Sequence, residues 1–241
     1  MKLNCDLGEG FGSWKMGDDE LVMPYIDMAN IACGGHAGDP LTMLNTLELA
    51  KQNNVEVGAH PSYPDKLGFG RKSIPFSEQE LIAHIIAQVS ALIGLAHSQS
   101  VTVSYVKPHG ALYNDMMKNE SVRVAVFKAV SSLKSLNSNL KLMLQSTALN
   151  QSISEQAKTF NVELIFEAFA DRLYDDNGLL MPRNIDGAVL NATQMFEQIK
   201  LLKQGQVKTN SGNLLSLQVD SLCVHGDNET DVAQIKQIRT E

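Results

Sequence analysis

The chain has 241 residues, 44% of them hydrophobic, enough for a large core that needs no disulfide or metal staple. Its 20 basic and 27 acidic residues leave a net charge of −7. This speaks against a general nucleic-acid binder, whose footprint is a basic patch or stripe, but not against small anionic ligands. Short apolar runs alternate with longer amphipathic ones, the pattern of βαβ units and a parallel sheet. Strands are predicted over 2–6, 28–33, 55–60, 101–107, 141–145, 162–168 and 221–225, and helices over 40–53, 77–98, 120–136, 152–160, 187–204 and 229–239. Asp39 is a good N-cap before Pro40 in a first turn, and Ser77 with Glu80 has the spacing of a capping box. Gly205, Asn210 and Gly212 mark a hairpin insertion around 206–218. No linker or repeat interrupts the pattern, so one α/β domain spanning 1–241, a seven-stranded (β/α) barrel, is expected.

Cys5, Cys33 and Cys223 are widely spaced with no CxxC pair, so neither a disulfide framework nor a thiolate zinc site is indicated. A strand-like run stands at the very start in place of a secretory leader. No apolar stretch approaches the roughly 20 residues of a membrane helix. A cytoplasmic protein with no membrane partner is expected.

The chemically capable residues collect where strands end. Asp6 closes the first predicted strand, His36 follows the second, and His60 closes the third. Lys107 and His109 come at the end of the fourth, Glu167 and Asp171 at the sixth, and His225 with Asp227 at the seventh. In a β/α barrel these ends share one face, where βα loops build the active site. A lone histidine near a strand is more often structural than catalytic; the shared position of several shifts that balance. Alternation supports it: Val55, Val57 and Ala59 share one side of their strand, which turns His60 toward the barrel axis. Lys107 likewise shares parity with Tyr105, and His225 with Cys223.

Four segments carry the chemistry. NIACGGHAGDP, 30–40, is a glycine-dense turn that serves equally well as an anion cradle or as a capped tight turn. The loop GAHPSYPD, 58–65, runs on to GFGR, 68–71, and offers Arg71 to an anion. In VKPHGALYN, 106–114, a lysine beside the axis needs a partner, and the histidine can shuttle protons near neutral pH. The stretch from Glu167 through Asp171 and Arg172 to Arg183 adds two carboxylates and two guanidinium forks.

DLGEGFG, NIACGGHAGDP, GAHPSYPDKLGFGRK, VKPHGALYN, FEAFADRLYDDNGLLMPR and CVHGD occur in this order between Cys5 and Asp227. Together they resemble the LamB/YcsF family over nearly the whole chain. The resemblance implies a barrel of the glycoside hydrolase/deacetylase type with seven strands, matching the strand count above. It also implies a 5-oxoprolinase activity: ATP-dependent opening of 5-oxo-L-proline to L-glutamate, carried out with partner subunits B and C. Lys72 departs from the expected second arginine after Arg71, keeping the charge but losing the bidentate fork.

In that reaction Asp6, His60 and His109 form the expected central cluster, flanked by His36 and His225 as ligand contacts. Lys107 stabilises negative charge, Glu167 or Asp171 handles a proton, and Arg71, Arg172 or Arg183 holds carboxylate or phosphate. Asp6, His60 and His109 are also a candidate divalent metal set, since related barrel deacetylases use an Asp/His/His arrangement. No Walker-type phosphate loop occurs, so either this chain or its partners handle ATP. The alternatives are an ATP-independent metal-dependent deacetylase or amidohydrolase on the same barrel, and a non-catalytic small-molecule-binding subunit. The apolar stripes of the helices over 77–98 and 187–204 are most simply core, and a homodimer is left open.

Overall fold

A computed structural model describes residues 1–224 and 229–240. In chain order the elements are β1 (Lys2–Leu7), α1 (Asp19–Val22), β2 (Met28–Ala32), α2 (Pro40–Gln52), β3 (Glu56–His60), α3 (Glu78–Ser98) and β4 (Val103–Val106). They continue with α4 (Gly110–Lys118), α5 (Glu120–Leu133), β5 (Lys141–Gln145), α6 (Asn150–Thr159), β6 (Glu163–Phe169) and α7 (Ala192–Leu202). The series ends with β7 (Gln206–Lys208), β8 (Leu214–Ser216), β9 (Ser221–Cys223) and α8 (Glu229–Thr240). Strands β1 to β6 and β9 close a parallel barrel in the order β1-β2-β3-β4-β5-β6-β9. The seven-stranded α/β barrel expected from the sequence is the fold observed. Strands β7 and β8 form the antiparallel pair at the position of the expected hairpin, Gln206 facing Ser216.

Alternation sorts the strands into two environments. Leu3, Cys5 and Leu7 of β1, Ile31 of β2, and Val57 and Ala59 of β3 join the large core between barrel and helices. Residues of opposite parity fill the barrel in layers. At the amino-terminal end Met28, Tyr105 and Met143 make a separate apolar plug, with Ile165 packed against it. Above it Asn30 Nδ2 donates to Asn4 Oδ1 (2.8 Å), Asn4 Nδ2 donates to Ser221 Oγ (2.8 Å), and the Tyr105 hydroxyl donates to Asn30 Oδ1 (2.7 Å). Gly58 makes room for this packing: a Cβ there would lie 2.1 Å from the Tyr105 ring.

Helix starts follow the local sequence. The Asp39 side chain accepts from the Leu41 and Thr42 amides ahead of Pro40, and Ser77 and Glu80 complete the capping box of α3. By length and composition α3 is long and apolar enough to cross a membrane, contrary to the expectation that no such stretch exists. Here its stripe of Leu81, Ile85, Val89, Leu92 and Ala96 is buried, packed toward α5, β3 and β4. Helix α4 is absent from the sequence-based expectation, because GALYNDMMK follows directly on a motif that reads as loop. Gly110, at φ +57°, makes the turn from β4 into it, and the Ala111 amide donates to Gly70 O (2.9 Å).

Candidate active site

At the carboxyl-terminal mouth of the barrel a cavity of about 370 Å³ opens, lined among others by Asp6, Glu9, His60, Lys107 and His109. Lys107 is its deepest cation, only 2% exposed. Its Nζ lies 2.8 Å from Asp6 Oδ1 and 2.8 Å from Glu167 Oε1, and it donates to Asn4 Oδ1 at 3.2 Å. The other Glu167 oxygen accepts from the Tyr113 hydroxyl at 2.7 Å. Burial alone would lower the Lys107 pKa, but Asp6 and Glu167 hold the ammonium well above its usual range. Burial likewise opposes ionisation of Asp6; the neighbouring His60 and the charge of Lys107 outweigh it and keep that carboxyl well below the usual value. The Asp6–Lys107 pair is therefore charged across the neutral range.

Beside it stand three histidines. His60 Nδ1 is 2.6 Å from Lys107 O, and His60 Nε2 is 3.4 Å from Asp6 Oδ2. His109 Nδ1 lies 3.0 Å from His60 Nε2, and His109 Nε2 lies 3.0 Å from Phe69 O. His36 stacks face to face on His109, ring centroids 3.6 Å apart, and its Nε2 is 2.9 Å from Glu9 Oε1. Burial, reinforced by the neighbouring His60, holds His36 well below the ordinary histidine value, and burial with His36 and His60 does the same for His109. Strands β1, β2, β3 and β4 are consecutive in the barrel, which brings their carboxyl-terminal ends to one side of the mouth. The β3–α3 loop is folded over them, and the His109 amide donates to Pro61 O at 2.8 Å. Gly70, at φ +63°, lies against both histidines: a Cβ there would be 2.9 Å from His109 Cδ2 and 2.9 Å from His36 Cβ.

Asp6, His60, Lys107 and His109 thus meet at one opening, with Glu167 just beneath. Arg71, Arg172 and Arg183 line the outer cavity, accompanied by Lys118, which the sequence did not single out. Two of the expected residues stand off the cavity lining. His36, 1% exposed, does not line the cavity; it is packed under His109 and is not placed to touch a ligand there. Asp171 lies beside Arg172, outside the cavity lining, because the chain turns away after β6; its backbone carbonyl accepts from Leu190. His225 and Asp227 lie outside the described residues.

The candidate metal set also changes in composition. Ligand-capable atoms of Glu9, His36, His60 and His109 all lie within 4.8 Å of one another. Asp6, expected in that set, has its Oδ1 taken up by Lys107 (2.8 Å) and Asn30 Nδ2 (2.7 Å). Sequence reasoning passed over Glu9, although it stands within DLGEGFG two residues past the end of β1. It also passed over Tyr113, which falls four residues after His109 and so on the same helical face.

A closed parallel barrel with charged and imidazole groups converging on its carboxyl-terminal mouth has the architecture of a (β/α)-barrel enzyme. The chain belongs to the LamB/YcsF family, whose profile matches residues 1–241. It is 51% identical over 241 residues to the Vibrio campbellii protein named as the A subunit of 5-oxoprolinase, covering 99% of this chain and 94% of that one. To the protein of the same name from Pseudomonas fluorescens it is 46% identical over 239 residues, covering 98% and 94%. Among solved structures, the "Lactam Utilization Protein" of Thermus thermophilus superposes with a TM-score of 0.89 at 30% identity, covering 99% of this chain and 94% of that one.

Proposed function

We propose that this chain is the A subunit of an ATP-dependent 5-oxoprolinase, a hydrolase that opens the lactam of 5-oxo-L-proline to L-glutamate in the cytoplasm together with subunits B and C. The observation that carries the reading is the buried Lys107, held charged between Asp6 and Glu167 beside the His60–His109 pair in a chain half identical to proteins of that name. A lactam is an unactivated amide, so ATP phosphorylates its oxygen before water attacks, and that brings the negative charge of a phosphoryl group into the site. Lys107, fixed and desolvated, is the group suited to meet it. Asp6, kept ionised between Lys107 and His60, takes the proton of the attacking water, and His60 or His109 returns one to the departing amine. Phosphorylation of the amide oxygen by ATP supplies the drive. Expulsion of the amine then leaves an acyl phosphate, which a second water hydrolyses to glutamate and phosphate. Arg71, Arg172 and Arg183 at the rim hold the substrate carboxylate or the phosphoryl group.

A surface for subunits B and C stands beside the same mouth. Phe11, Trp14 and Leu67 are exposed; Trp14 packs edge-on against Phe69, and Lys66 lies over the Phe11 ring. Exposed Lys15, Lys66, Arg71 and Lys72 surround them in a chain of net charge −7, which suits an acidic partner face. The reading is tested by assaying the purified chain, with and without subunits B and C, for glutamate and ADP release from 5-oxoproline and ATP. Coupled release only in the full assembly is expected. Nucleotide-independent hydrolysis of an amide by the isolated chain would instead establish the deacetylase-like alternative, which the Glu9–His cluster favours.

A further inference from the structure

The three histidines differ in which ring nitrogens can carry hydrogen. A backbone carbonyl only accepts, so the 2.6 Å contact to Lys107 O places the proton of neutral His60 on Nδ1. The 3.0 Å contact to Phe69 O places that of His109 on Nε2. Both rings then turn bare lone pairs toward each other: His60 Nε2 and His109 Nδ1 are 3.0 Å apart. Two acceptors at hydrogen-bond distance, in residues 1% and 7% exposed, repel unless a positive centre lies between them. Carboxylate oxygens flank the contact, Glu9 Oε1 at 3.5 Å from His109 Nδ1 and Asp6 Oδ2 at 3.4 Å from His60 Nε2.

We infer that this contact is the core of a divalent-cation site whose ligands are His60 Nε2, His109 Nδ1 and a Glu9 carboxylate oxygen, with His36 outside the coordination shell. Ligands on a tetrahedral ion with bonds of about 2.05 Å lie about 3.3 Å apart. The observed 3.0 and 3.5 Å bracket that value. An imidazole binds a metal in its ring plane. The planes of His60 and His109 cross at 87°, so one ion can lie in both. The planes of His36 and His109 are parallel to within 2° with centroids 3.6 Å apart, so an ion in the plane of one sits over the face of the other. His36 instead donates from Nε2 to Glu9 Oε1 at 2.9 Å, the arrangement by which an outer histidine orients a ligating carboxylate. Asp6 keeps Lys107: an ammonium 2.8 Å from its Oδ1 disfavours a second cation on the same carboxylate. Two imidazoles and one carboxylate, with a free position toward the cavity, suit zinc or a neighbouring first-row ion.

The inference concerns the cavity of the proposed reaction but rests on tautomers and ring planes, so metal content and turnover can each fail without the other. The test is elemental analysis of the full chain purified without added metal, followed by cobalt(II) loading of the chelator-treated protein. About one equivalent and the visible bands of a low-coordinate cobalt site are expected. Glu9→Gln and His60→Gln, shown folded by circular dichroism, lose the bands. Asp6→Asn keeps them, and His36→Gln keeps them with metal affinity lowered about 10- to 100-fold. Less than about a tenth of an equivalent in the unmodified protein, with no cobalt bands, overturns the site and leaves a shared proton between the rings. Loss of the bands in Asp6→Asn or His36→Gln as complete as in Glu9→Gln overturns the ligand set.

Discussion

The two ends of the barrel interior are built from the same strands at the same parity and filled in opposite ways. At the amino-terminal end Met28, Tyr105 and Met143 close the barrel with apolar volume, and Gly58 gives up its side chain so that the Tyr105 ring fits. At the carboxyl-terminal end the half-buried Asp6 and the buried Lys107 and Glu167 are held by one another and by Asn30, Tyr113, Asn4, His60 and Cys223. The lower layer contributes stability through packing and tolerates any side chain of suitable shape. The upper layer costs desolvation that its ion pairs only partly offset, so its composition is explained by chemistry at the mouth rather than by stability. The division predicts that damage below lowers stability and spares turnover, whereas damage above lowers both.

The largest effect belongs to Lys107→Met. It leaves Asp6 and Glu167 as buried carboxylates without their counter-ion, at a cost of about 3–5 kcal/mol of stability. Turnover in the proposed assembly falls at least about 100-fold through loss of the charge facing the lactam oxygen. Denaturant unfolding and glutamate release measure the two. Activity within a few-fold of the unmodified protein would remove Lys107 from the reaction.

The response to pH comes next. His36 and His109 are held below the ordinary histidine value of 6.5, chiefly by burial, so the unfolded chain binds protons that the folded one refuses. Their contribution is intact above pH 6.5 and is lost as pH falls below it, approaching about 1.4 kcal/mol per pH unit for each histidine. Asp6, whose value is lowered, adds its own loss only at more acidic pH, and Lys107, whose value is raised, loses its contribution only in strong alkali. Urea midpoints of chelator-treated protein at pH 7.5 and 5.5 read the difference, and His36→Gln should flatten it. An unchanged midpoint would mean that the stacked pair takes up protons while folded.

Below, Gly58→Ala forces a methyl against the Tyr105 ring and should cost about 1–3 kcal/mol. Tyr105→Leu in the same chain should recover part of that, a coupling visible in a double-mutant cycle. The KM and kcat of the folded fraction stay unchanged if the layers are independent.

What could be read in advance follows the same division. Strand alternation repeats over three to seven residues, so the seven strands, and the inward turn of His60 and Lys107, were legible from β1 to β9. The Gly205, Asn210 and Gly212 pattern likewise placed the β7–β8 pair. Single loop positions carry no period. Glu9, in the turn after β1, became visible only when the fold brought it to His36 and His109. His36 stood out as a histidine, but its burial comes from the His109 ring stacked on it and from Phe69 and Gly70 of the 61–77 loop, and nothing in 30–40 encodes either. Asp171 lies off the cavity lining for a related reason: proximity to a strand end does not fix direction once the chain leaves β6.

The smallest predicted effect separates the scaffold from both layers. Ser77 caps α3 by accepting from the Glu80 amide while Glu80 Oε2 accepts from the Ser77 amide at 2.8 Å. Ser77→Ala removes one half of that exchange and should cost about 1 kcal/mol. The loop from His60 to Ser77 joins β3 to this cap and passes through Gly70, whose carbonyl is held by the Ala111 amide and which rests against His36 and His109. If those contacts pin the loop independently of the helix, the variant shifts the thermal midpoint and leaves KM and kcat alone. A fall in kcat without a change in the unfolding slope would show instead that the cap helps to hold the loop over the histidines, extending the reactive layer to the first turn of α3.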